Sequence, residues 1–114
     1  MAKYVVFIYD DEAQLSSAGA DTIQSTLEGH QKFAAQHGAS LRGGGRLAPG
    51  VKAVSVPADR GGSPRTRQPG PFLQGTSQCI GGYYIIEAGD IDKAAEIASD
   101  VPAPFGGVEI RELI

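Results

Sequence analysis

The stretch "KYVVFIY", residues 3–9, constrains the fold more than any other part of this chain. It is β-branched and aromatic throughout, the composition that favours extended backbone, and successive side chains of a strand point to opposite faces. Tyr4, Val6 and Ile8 therefore share one face, and Val5, Phe7 and Tyr9 the other. Both rows are apolar, so the strand needs cover on both sides and belongs in the middle of a sheet. "GGYYIIEA", residues 81–88, repeats the pattern with Tyr83/Ile85/Glu87 against Tyr84/Ile86/Ala88.

Each of these strands is followed by a helical pattern. In "DTIQSTLEGHQKFAAQHG", residues 21–38, Ile23, Leu27, His30, Ala34 and His37 recur at steps of four, three, four and three, which is one helix face. This helix is expected to start near Asp21 and to close on Gly38 as a left-handed residue, with two histidines on its inner side. In "DIDKAAEIASDV", Ile91, Ala94, Ala95, Ala98 and Val101 form the second stripe, capped by Asp90 and ended by Pro102 and Pro104. "GGVEIREL" closes the chain as a strand with Val108 and Ile110 inward.

Between the halves, "ASLRGGGRLA" and "VKAVSVP" are strand candidates, residues 58–71 read as a Gly-, Pro- and Arg-rich surface loop with room for a short hairpin, and residues 76–80 read as a linker. The order βαβ, hairpin region, βαβ gives an α+β, ferredoxin-like sandwich. Its helices lie on one face of the sheet, so the second apolar face calls for another apolar surface, most economically a second copy of the chain.

The 114 residues hold one domain, 1–114. A net charge of −3 with 10 Lys and Arg argues against a nucleic-acid module, which needs clustered cations. No run of apolar residues is long enough for a bilayer, so no membrane partner is expected, and "MAKYVVFIYDDEA" turns acidic too early for a secretion signal, so a cytoplasmic location is expected. Cys79 has no partner for an internal disulfide, and two histidines seven apart with one distant cysteine match no zinc spacing, so neither metal nor cofactor is expected.

His30 leads the candidate site residues, because an imidazole titrates near neutrality and can relay a proton from within a cavity. The competing reading is a packed histidine bonded to backbone. Asp10 and Asp11, with Glu12, stand at the end of the first strand, where a carboxylate can orient His30 or take a proton, or can cap a helix in a solvated turn. Tyr83 and Tyr84 point to opposite faces, so one of them can line a cavity while the other packs beneath a helix; Tyr9 and Phe72 complete the candidate binding residues. His37, in the last helical turn, suits a capping or surface role, Cys79 a small buried hydrophobe, and Arg60, Arg65 and Arg67 give the long loop a positive character.

"YVVFIYDDEA", "HQKF", "GPF", "GGYYIIEAGDIDKAAEIA" and "GGVEIREL", in that order, resemble the YCII-related family in its DGPF branch, of the dimeric α+β barrel superfamily. The resemblance implies a ferredoxin-like protomer pairing sheet to sheet, with a cavity between sheet and partner. It also implies kinship with a wider group that includes a dehydrochlorinase of aromatic degradation, in which a His–Asp pair is suggested as catalytic, and with proteins associated with sigma factors. The chain departs from the branch signature where Pro69 precedes Gly70, Pro71 and Phe72, and where Thr76 to Cys79 replace the usual acidic and lysine positions. The expected function is a cofactor-free enzyme of secondary or aromatic metabolism that moves protons on a small molecule by elimination, dehydration, isomerisation or cyclisation. The alternative is a non-catalytic dimeric module that binds a ligand or protein, with a regulatory role.

Overall fold

A computed structural model describes all residues except 59, 60 and 62–64. Arg60 of the expected positive loop lies outside the described residues. Strand β1 (Ala2–Asp11) leads through a short helix α1 (Glu12–Ser16) to the long helix α2 (Ala20–His37) and strand β2 (Leu41–Arg46). Two-residue strands β3 (Val54–Ser55) and β4 (Gln68–Pro69) pair as a separate arm. Strand β5 (Gln78–Ala88), helix α3 (Ile91–Ala98) and strand β6 (Gly107–Glu112) complete the chain.

The main sheet has the order β2-β5-β1-β6 with every neighbouring pair antiparallel. Each βαβ unit is thus split by a strand from the other half, which is the ferredoxin-like arrangement. The two doubly apolar strands, β1 and β5, are the central pair, as their patterning requires. Tyr4, Val6 and Ile8 of β1 and Ile86 and Ala88 of β5 meet Phe33 of α2 and Ala94 and Ala98 of α3 in one core. The opposite row, Val5, Phe7, Tyr9, Tyr83 and Ile85, is half-buried.

Three local expectations change. Ile23 and Leu27 of the proposed inner stripe are half exposed, at 53% and 52%, and Ala34 faces out. The stripe turned toward the sheet runs instead through Thr26, His30, Phe33 and His37, with Phe33 only 1% exposed. The largest side chain, one turn beyond Gly29, sets the helix rotation. Gly38 is right-handed, at φ −54° and ψ −33°, because the chain makes one more turn, closed by the Ser40 amide donating to the His37 carbonyl, before entering β2. Finally, β5 begins at Gln78 rather than after a linker, since Gln78, Cys79 and Ile80 pair with Asp11, Asp10 and Tyr9.

Gly29 has a packing reason inside a helix, where glycine costs about 1 kcal/mol relative to alanine. A Cβ there would sit 2.8 Å from the Pro102 ring, so the bare backbone lets the segment after α3 lie against α2. At the other extreme, the β3–β4 arm leaves Val54 and the neighbouring Val51 and Phe72 largely exposed. With this arm projecting, the radius of gyration is 16.2 Å, against the ~13 Å of a compact domain of this length.

Candidate active site

The site forms where α2 passes over the glycine-rich ends of β2 and β5. His30 projects from α2 toward the sheet and its Nδ1 lies 2.8 Å from the Tyr84 hydroxyl. The Tyr84 ring packs on Phe33, with centroids 4.8 Å apart, and Phe33 packs in turn on His37 at 5.1 Å. This aromatic row anchors the phenol from the core side, so the hydrogen bond to His30 joins two groups whose rings are already placed. Tyr84 is therefore the tyrosine beneath the helix.

A cavity of about 490 Å³ opens beside this pair, within the size range of small-molecule sites. Its polar lining includes Asp10, His30, Arg46 and Tyr84, and its apolar walls include Leu15, Ile23, Leu27 and Phe105. The half-exposed Ile23 and Leu27 thus belong to a pocket wall instead of the core. The backbones of Gly44, Gly45, Gly81 and Gly82 contribute to the same lining. A second cavity of about 560 Å³ adjoins the first through the shared residues Asp10, Leu15, Arg46 and Gly81, and continues to Glu12, Cys79 and Pro49. Both are lined by residues of the one chain, and the first lies on the helix-covered side of the sheet, whereas the resemblance implied a cavity on the partner side.

Asp10 reaches the cavity because it continues the helix-facing row Tyr4, Val6, Ile8. Opposite it, the pairing slips between Ile8 and Tyr9 and leaves Gly81 as the extra residue of a β-bulge. A Cβ built on Gly81 would collide with the Asp10 carboxylate, so the glycine supplies the space that the acid fills. Burial pushes the Asp10 carboxyl above the usual aspartate range, with His30 and Arg46 pulling it back in part. Burial lowers the His30 imidazole below its ordinary value, with Asp10 opposing. Burial also raises the Tyr84 phenol. At neutral pH this leaves His30 neutral and Tyr84 protonated, one able to accept a proton and the other able to donate a hydrogen bond.

The remaining candidates fall elsewhere. Asp11 is committed to local structure: its Oδ1 accepts from the Gln14 amide at 3.1 Å as the cap of α1, and its Oδ2 accepts from the Ser77 hydroxyl at 3.0 Å. Tyr9 belongs to the half-buried row on the far face and does not line either cavity. Tyr83 borders the first cavity where β5 crosses it, although its ring lies beside Gly45, 3.5 Å from where a Cβ would stand. Phe72 is 70% exposed and away from both cavities. His37 Nε2 donates to Asp100 Oδ2 at 2.7 Å, tying the end of α2 to the end of α3. The Cys79 thiol is pushed up to about 11 by burial, then by a hydrogen bond and charge from Glu12 and by Asp10 and Asp11, so it stays protonated and a poor nucleophile.

Arg46, Leu15 and Phe105 were not singled out by sequence reasoning. Only Arg46 left a signal, as the cation ending a glycine run that must approach another backbone closely. Among the described residues no group of three His, Cys, Asp or Glu side chains could hold a metal ion, and no helix is long and apolar enough to cross a membrane.

Fold and site together define a small ferredoxin-like α+β domain with a histidine, a tyrosine and a carboxyl gathered in one intradomain pocket. The chain belongs to the YCII-related domain family, whose model matches residues 2–114. No curated protein matches it.

Proposed function

We propose that this protein is a small-molecule enzyme that moves protons without a cofactor, with His30 as the acid or base. The observation that carries this reading is the His30–Tyr84 hydrogen bond at the wall of a cavity that also holds the Asp10 carboxyl. In the tautomer with hydrogen on Nδ1, His30 donates to the Tyr84 oxygen and keeps a lone pair on Nε2. The phenol O–H is then available to a substrate oxygen that gains negative charge as its neighbouring C–H is broken. The proton taken by Nε2 either returns at another atom, which is isomerisation, or is matched by departure of a leaving group with its bonding pair, which is elimination. Asp10 favours the protonated imidazole that forms. Asp11 serves by holding the β1–α1 turn that positions Asp10.

The half-buried row Val5, Phe7, Tyr9, Tyr83 and Ile85 supports a homodimer formed through the helix-free face. Asp10 and His30 share no direct hydrogen bond, which favours a second reading, a dimeric module that binds a ligand without turning it over. Incubation in D₂O with a panel of lactones, cyclic enones and hydroxylated aromatics separates the two. The enzyme exchanges or rearranges a C–H of at least one compound, and His30→Ala stops it while remaining folded. Unchanged exchange in His30→Ala removes His30 from the chemistry, and saturable binding without exchange establishes the binding module.

A further inference from the structure

The two polar ends of the first cavity differ. At one, His30 and Tyr84 satisfy each other. At the other stands Arg46, exposed at the end of β2, lining both cavities, with no ion pair or side-chain hydrogen bond to any described residue. Its charge is felt by the Asp10 carboxyl, yet the two are not paired. Glu12, the other acid at this junction, is already occupied, accepting from the Gly50 amide at 2.6 Å. A guanidinium thus presents a planar fork of donors beside a largely apolar chamber.

We propose that the ligand is a carboxylic acid with an apolar body. Its carboxylate is held by Arg46, its body lies between the Leu15, Ile23 and Leu27 side chains and the glycine floor, and its far polar group meets His30 and Tyr84. This rests on the proton-transfer reading for the far group alone. A carboxylate fits better than a phosphate ester, because its two oxygens match one guanidinium while a dianion would face the Asp10 carboxyl with a single cation to offset it. The apolar walls disfavour a sugar or a polyanion, whose hydroxyls and charges would be left unpaired there.

The test uses the full chain and three probes of equal length: 3-phenylpropionate, 3-phenylpropanol and 3-phenylpropylamine, titrated near pH 7.5 with His30 and arginine side-chain NMR signals as readouts. Wild type is expected to bind the acid at least about tenfold more tightly than the alcohol, with the amine weakest, the worth of one charge-assisted contact. Arg46→Gln should erase the preference, Arg46→Lys should restore part of it, and all variants should keep the wild-type melting temperature because the side chain is exposed. Equal binding of acid and alcohol, no binding of the acid, or a preference that survives in Arg46→Gln overturns the proposal. His30→Ala should keep the acid preference, so a failure of the proton-transfer reading leaves this result standing, and the converse.

Discussion

His30 and His37 lie on one face of one helix, flank the same phenylalanine and each bond a side chain from a distant part of the chain, yet they end in different environments. His37 is hydrogen-bonded to Asp100, and its surroundings are two helix ends. His30 meets a phenol beside a cavity. The difference arises across the sheet. Below His30 the strands supply glycine backbones and an acid admitted by the Gly81 bulge, which leaves space, while His37 has the end of α3 against it. On the proposed reading, a histidine becomes chemically useful here because of what its neighbours lack.

The largest expected effect is on chemistry. His30→Ala should lower turnover of any active compound by about 10²–10⁴-fold, the usual worth of a general acid or base, with a small change in melting temperature, whereas His37→Ala should leave turnover nearly intact. Steady-state assays with both variants check this, and equal losses would erase the distinction between the two sites. Phe33→Ala removes the side chain that His37 and Tyr84 pack on and should cost about 3–5 kcal/mol in denaturant unfolding, with loss of the ordered Tyr84 ring.

Asp10→Asn sharpens the comparison from the carboxyl side. Its folded-state value is raised, so the ionised acid is less favoured in the native state than in the unfolded chain. The stability linked to its protonated form is present below the ordinary aspartate value and lost as pH rises through the folded value. Asp10→Asn should therefore raise the melting temperature at neutral pH and lose that advantage in acid, while impairing turnover. Thermal melts across pH decide it, and a lowered neutral-pH melting temperature would count against burial as the main influence on this carboxyl. The smallest effect is Asp100→Asn, a partly exposed partner whose loss should cost no more than about 1 kcal/mol, measured in denaturant at fixed pH.

The central strands, the helix order and the cap at Asp90, whose Oδ1 accepts from the Lys93 amide at 2.8 Å, were legible because each rests on local periodicity and turn chemistry. His30 was singled out from the helical stripe and Asp10 from its place at the end of the first strand, and the fold brings both to one cavity. The rotation of α2 was not, because Ile23 and Leu27 carry the helical period as well as Phe33 does, and only the third dimension reveals that they wall a pocket. Arg46 was hidden by its glycine context, and the place of Phe72, exposed and lining neither cavity, was not legible, since a turn residue far along the chain gives no sign of which surface it meets.

The central claim is that His30 is held neutral and coupled to Asp10 at the cavity, and an NMR titration of the His30 ring carbons in the full chain tests it without a substrate. The account predicts a midpoint below the ordinary histidine value of about 6.5, falling further in Asp10→Asn because the opposing negative charge is gone. A midpoint at or above the ordinary value, unmoved by Asp10→Asn, would contradict it.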